Sequence, residues 1–248
     1  MNNYIEKIND AEIKSVAKAL TIINYMSEKS ENVSLQQITK DLGLPKSTLA
    51  GLLKTLEQYN FVNKLENNKY ELGIYLFELG TQVRKKIKLD VIAKPHLEKL
   101  ANEIKETVNL GILDKDEVLL LDKYIPSTGF QIGAQIGTRL EAHSIALGKV
   151  LLSHLTNEEI NNLYEDKTLT KNTPSTITDL EELKEELKII KRQGYAVDNE
   201  ELLQDMRCIA APIYNNVGEI IAAASITTLV SRLTNEKLEN KKGHLMYA

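Results

Sequence analysis

Between residues 34 and 56 the chain repeats the spacing of a buried helical face twice in quick succession. Leu35, Ile38 and Leu42 recur at helical intervals behind Ser34, a good N-cap, so a short helix is expected over Leu35–Leu42. Gly43 then stands where a helix end needs a residue that accepts positive φ, and Pro45 suits the first turn of a following helix. In that second helix Leu49, Leu52, Leu53 and Leu56 fall at i, i+3, i+4 and i+7, one buried stripe. Two short helices across a glycine turn have the geometry of a helix-turn-helix, whose second helix enters the major groove of DNA. The other face of that helix carries Lys46, Ser47, Thr48, Ala50, Gly51 and Lys54. The lysines suit phosphates, the hydroxyls lie near a helix N-terminus, and the small residues allow close approach to base edges. Ser34 and Gln36, at the head of the first helix, join them as candidate DNA contacts. An ordinary helical hairpin with a solvated polar face would show the same spacing.

The flanking patterns extend this reading. Ile13–Glu28 places Val16, Ala19, Leu20, Ile23 and Met26 on one expected helical face that would cover the hairpin of helices. Phe61–Leu65 and Lys69–Leu72 are β-prone runs around Glu66-Asn67-Asn68, a hairpin directly after a helix-turn-helix and hence the wing of a winged helix. Lys64 and Lys69 would bring that wing to a phosphate or the minor groove. Ile74–Lys88 reads as a linker helix, with Leu76, Leu79, Val83 and Ile87 spaced for burial.

Beyond residue 90 helices and strands mix without strict alternation, which indicates an α+β domain. A helix is expected over Val91–Glu106, restarting at Pro95. Strands are expected at Thr107–Leu113, Glu117–Tyr124, Phe130–Ile136, Cys208–Tyr214 and Glu219–Thr227. His143–Leu155 reads as a helix; Thr156 and Thr178 each begin a capping-box pattern, and the helix after Thr178 stops at Gly194. The tail from Asn235 is polar and lacks the spacing of a good terminal helix.

Charge sharpens the division. Up to residue 89 there are 13 Lys and Arg against 10 Asp and Glu, and beyond it 18 against 25. A slightly basic first part and an acidic remainder suit a DNA reader joined to a domain with another task. The lone Cys208 rules out an intramolecular disulfide, the N-terminus has no signal-peptide pattern, and the longest apolar run is too short for a bilayer. A cytoplasmic protein without a membrane partner is expected. Four scattered His and one Cys give no metal-ligand spacing, and neither a metal nor a cofactor is expected.

Candidate chemistry concentrates in the second domain, at His143–Lys149, Asp198–Glu201, Cys208, and Ser225 with Thr227. In a strand, residues 225 and 227 share a face, so their hydroxyls converge. With backbone N–H groups at the start of the 143–155 helix, these describe a site for a small organic anion bearing a hydroxyl or keto oxygen. Each also has a plainer reading: Cys208 as core, the hydroxyls as β-compatible residues, Asp198–Glu201 as a solvated turn. An enzyme would need Cys208 as nucleophile with His143 as base and Asp198 orienting it, but no nucleophile motif surrounds the cysteine. A pure protein-interaction module would explain neither the wing nor the paired hydroxyls.

LGLPKSTLAGLLKTLEQYNFV and NNKYELG resemble the N-terminal domain of the IclR family of bacterial transcriptional regulators. The resemblance continues through HSIALGKVLL, ITDLEELKEELKIIKRQGYAVDNEE and CIAAPIYNNVGEIIAAASIT, and covers roughly residues 13–232. It implies a winged helix-turn-helix over 1–73, a linker helix over 74–89 that also contributes dimer contacts, and a GAF-like effector-binding domain over 90–248. It implies a small carboxylic-acid effector meeting Asp198, Cys208, Ser225, Thr227 and the backbone of Ala146 and Leu147. A repressor is then expected, acting on double-stranded DNA at a pseudopalindromic operator as a homodimer or a dimer of dimers. Three departures stand out. Ala50-Gly51 replaces a larger polar residue followed by Arg, no glycine precedes Cys208 in Leu203–Arg207, and the usual closing helix is missing from the tail.

Overall fold

The computed structural model describes residues 8–126, 133–232 and 243–246. They divide into two compact units between Lys88 and Leu89.

In the first unit, α1 (Lys14–Ser27), α2 (Leu35–Leu42) and α3 (Lys46–Gln58) enclose a core with a three-stranded antiparallel sheet. That sheet has the order β1 (Val33–Ser34), β3 (Lys69–Leu72), β2 (Val62–Lys64). The helix-turn-helix forms as its spacing requires: Gly43 adopts φ 64, and Ile38, Leu42, Leu49, Leu53 and Leu56 are buried. Asn68 takes φ 59 in the hairpin turn of the wing.

Two expected faces differ. On α1 the buried residues are Thr21, Ile22, Tyr25 and Met26, while Val16 and Leu20 are 52% and 55% exposed. The helix carries two overlapping apolar stripes, and the one that docks also lets the Tyr25 hydroxyl donate to Asp41 of α2 at 2.7 Å. On α4 (Tyr75–Ile87) no residue is buried, although Leu79, Val83 and Ile87 have the spacing. Periodicity identifies an apolar face but not what covers it.

The second unit is built on a six-stranded antiparallel sheet of order β6-β5-β4-β9-β8-β7. Its strands are β4 (Thr107–Asp114), β5 (Glu117–Tyr124), β6 (Arg139–Glu141), β7 (Ala196–Asn199), β8 (Met206–Tyr214) and β9 (Ile220–Leu229). Strand alternation splits its side chains between two layers. Val108, Leu110, Ile209, Ala224 and Ile226 pack with α5 (Leu89–Ile104). Cys208, Ala210 and Ala223 instead join a core with α6 (Ala146–Leu152), α7 (Asn157–Tyr164) and α8 (Leu180–Gln193). A sheet with helices on both faces is the GAF-like α+β arrangement.

Several boundaries move for local reasons. Helix α5 runs through Pro95 and gives up one backbone bond there, because Ala93, Leu97 and Leu100 hold it against the sheet. Asp179, not Thr178, caps α8 by accepting from the Glu182 amide at 2.9 Å, whereas the Thr156 capping box is complete. Of the expected strand Phe130–Ile136, residues 130–132 lie outside the described residues and 133–136 are not strand. Strand β7 takes in Asp198 and Asn199, Glu200 and Glu201 lie in the turn that follows, and β6 comes after the glycine turn at Gly137. In the tail, residues 243–246 form one helical turn whose Leu245 packs into the α5 layer.

The expected 143–155 helix is interrupted. A 3-10 turn over Ala142–Ser144 is followed by extended Ile145, and only then does α6 begin. Gly148 permits this close return, since a Cβ there would lie 2.1 Å from the Ala142 carbonyl oxygen. Gly148→Ala should therefore destabilise the protein by at least ~1–3 kcal/mol, the usual cost of overpacking, measured by urea unfolding.

Candidate functional site

The DNA-facing candidates lie on the first unit. Lys46 and Ser47 occupy the first turn of α3, and Ala50, Gly51 and Lys54 follow; all five are exposed, and Thr48 is half-buried. Lys46, Lys54, Lys64 and Lys69 take part in no ion pair among the described residues, leaving their ammonium groups available to phosphates. Ser34 has a local role as well, because its hydroxyl accepts from the Gln37 amide at 3.2 Å and caps α2. Gln36 is exposed beside it. Lys64 is exposed at the end of β2, and Lys69 opens β3 with its backbone N–H donating to the Asn67 side chain at 3.0 Å. Nothing lies within 4 Å of where a Cβ on Gly51 would sit, so packing does not demand glycine there.

The effector candidates meet in the second unit. The register aligns Asp198 of β7 with Cys208 of β8, Cys208 with Thr227 of β9, and Ser225 of β9 with Asn109 of β4. All face α6, and Asp198, Cys208, Ser225 and Thr227 line one cavity of about 40 Å³ together with Ala146 and Leu147. An organic acid would need the lining to open, since ligand pockets are commonly several hundred Å³.

Sequence reasoning missed Asn109, whose amide nitrogen lies 2.9 Å from the Thr227 hydroxyl and 3.4 Å from that of Ser225. The available signal was a polar residue in the apolar strand TVNLGIL, on the face opposite Val108 and Leu110. The two left-handed residues before Cys208, Glu200 at φ 65 and Asp205 at φ 62, turn the chain from β7 into β8 without glycine. His143 does not join the cavity. Its Nε2 lies 3.0 Å from the Thr170 carbonyl oxygen, while the Cys208 sulfur lies 3.3 Å from the Thr227 hydroxyl. Burial, reinforced by the negative charge of Asp198, raises the Cys208 thiol far above its ordinary range, which is the opposite of what a thiolate nucleophile requires.

Beside the cavity lies a buried ion pair. Lys149 of α6, 1% exposed, places Nζ 2.6 Å from Glu201 Oε1 and 3.7 Å from Glu186 of α8. Asp198 is fully buried; its Oδ1 accepts from the Glu201 amide at 2.7 Å, and its Oδ2 has no hydrogen-bond partner among the described residues. Burial pushes its carboxyl up to about 7, against the lowering effect of the Glu201 amide and Lys149. The native state thus holds a proton that the unfolded chain has released between about pH 4 and pH 7. The contribution of Asp198 to stability therefore falls as pH rises through that window, by up to ~1.4 kcal/mol per pH unit. In Asp198→Asn this slope should vanish, so the difference in unfolding free energy between the two proteins should change across that range and level off above it.

Comparison with known proteins also finds two parts in the chain. Residues 81–248 match the bacterial transcriptional regulator IclR C-terminal family, and residues 15–66 match the IclR helix-turn-helix domain. Over 237 residues the chain is 38% identical to the HTH-type transcriptional regulator XynR of Escherichia coli strain K12, covering 95% of this chain and 94% of that protein. It is 31% identical over 230 residues to the transcriptional repressor IclR of the same strain, covering 92% and 84%. The crystal structure of Thermotoga maritima IclR matches with a TM-score of 0.76 at 29% identity, covering 94% of each chain. These relatives are transcriptional regulators and not enzymes, so the pairing of Cys208 with His143 as a catalytic couple has no support. The helix-turn-helix, the GAF-like sheet and these matches over most of the chain place the protein in the IclR family of bacterial transcriptional regulators.

Proposed function

We propose that this regulator is a cytoplasmic repressor that reads a pseudopalindromic operator in double-stranded DNA and answers to a small carboxylic acid held in the second unit. The observation that carries the effector reading is the convergence of Asn109, Asp198, Cys208, Ser225 and Thr227 from four strands on one cavity. Few convergent polar groups in an otherwise apolar recess are the usual composition of a small-molecule site. For the DNA reading, the support is the exposed face of α3 with Lys46, Ser47 and Lys54, flanked by Lys64 and Lys69 on the wing. Helix-turn-helix dimers place two recognition helices one turn of DNA apart. The uncovered apolar residues Ile13, Val16 and Leu20 near and on α1, and Phe77 and Val83 on α4, favour a dimer or a dimer of dimers, because such patches mark interfaces. A ligand shifts the DNA-binding arrangement only as far as its affinity differs between arrangements.

Removing phosphate contacts should weaken DNA binding at every sequence. Lys46→Ala with Lys54→Ala should weaken retardation of the promoter fragment beside the protein's own gene and lower its salt dependence by about two counterions, read by gel shift at several salt concentrations. Unchanged affinity and salt slope would remove α3 from the interface. Ser225→Ala combined with Thr227→Val should leave that retardation intact while abolishing any response to organic acids. A double variant that still responds would place the effector elsewhere.

A further inference from the structure

We propose that the effector carboxylate enters the cavity together with one proton from solvent, and that this proton resides on Asp198 and makes its Oδ2–H the donor to the ligand. The inference rests on the organic-acid reading above and concerns the charge balance of that site. Asp198 and Glu201 are two buried carboxyl groups, and among the described residues Lys149 is the one buried ammonium beside them. That ammonium is already engaged by Glu201 at 2.6 Å and reaches Glu186 at 3.7 Å. With Asp198 ionised, a further carboxylate would put two uncompensated negative charges in a low-dielectric recess, and a proton on Asp198 removes one of them.

Among the described residues, the remaining neighbours of Asp198 do not supply a cation. Cys208 on β8 and Thr227 on β9 offer a thiol and a hydroxyl, and Asn109 on β4 an amide. Lys123, opposite Asn109 in the β4–β5 register, donates to the carbonyls of Gly133 at 3.3 Å and Ala134 at 3.0 Å. Asp198 is the group placed to neutralise. Its Oδ1 is fixed by the Glu201 amide, and its Oδ2 has no hydrogen-bond partner among the described residues although Asp198 lines the cavity. An ionised Oδ2 would repel a carboxylate oxygen, whereas a protonated one bonds it. The raised carboxyl makes the proton available near neutral pH.

The test is calorimetry on the full chain with acetate, lactate, pyruvate and benzoate offered singly, at about pH 6 and about pH 8, each in two buffers of different ionisation enthalpy. The expected result is uptake of nearly one proton per ligand at the higher pH and nearly none at the lower. Affinity should fall about tenfold per pH unit above neutrality, since each proton taken up adds one such factor. Asp198→Asn, whose amide supplies a permanent donor, should bind with no proton uptake and no pH dependence over this range. Wild-type binding at the higher pH without proton uptake, or affinity that rises with pH, overturns the proposal. If Lys123→Met then abolishes binding, Lys123 is the neutralising group instead. Failure of all four acids to bind at either pH overturns the organic-acid reading itself, a result distinct from binding without a proton.

Discussion

The second unit depends on how it keeps three ionisable side chains out of water. Lys149, Glu201 and Asp198 come from α6, the turn after β7, and β7 itself, and each is at least nine-tenths buried. A buried ammonium is tolerable only beside a carboxylate, so the Lys149–Glu201 contact fixes α6 against the turn that leads into β8. The same turn aims the Glu201 amide at Asp198 Oδ1. Three hydroxyl-to-carbonyl bonds, from Thr173 to Glu200 and Glu201 and from Thr176 to Glu201, hold the turn from its other side. Such a network adds less to stability than it does to geometry, because desolvation offsets much of the Coulombic gain. What it leaves among the described residues is two unpartnered carboxyl oxygens, Glu201 Oε2 and Asp198 Oδ2, of which only the second belongs to a residue lining the small cavity.

The first unit solves a simpler problem. Its helices are short, and short helices are marginal alone, so the α2–α3 pair is held by a shared apolar core with α1 and the wing. The core takes Leu49, Leu53 and Leu56 from one face of α3, which leaves the opposite face to Lys46, Ser47, Ala50, Gly51 and Lys54. At Gly51 the open surroundings show that glycine is not a packing necessity. It costs the helix about 1 kcal/mol relative to alanine, and no packing within the unit explains it.

Local signals with a short-range cause were legible in the sequence. Ser34 and Gly43 bound α2, Thr156 caps α7, Gly194 stops α8, and Asn68 turns the wing. Each acts through a backbone bond or a positive φ within a few residues, so tertiary context had little to change. The alternation of Ser225 and Thr227 likewise follows from the two-residue period of a strand. The misses share a different cause. The docked face of α1, the passage of α5 through Pro95 and the break at Ile145 were decided by neighbours distant in the chain.

The site shows the same boundary. Residue types and strand spacing determined by themselves that hydroxyls, a thiol and a carboxyl were on offer in an acidic second half. Only the tertiary structure decided that β7 pairs with β8, β8 with β9 and β9 with β4, and so brings Asp198, Cys208, Thr227, Ser225 and Asn109 to one recess. It also decided the chemistry of Asp198. In the sequence Asp198–Glu201 reads as a solvated turn; in the fold, burial withdraws the water that would keep the carboxyl ionised. Solvation is a property of what surrounds a side chain, and the chain order does not carry it.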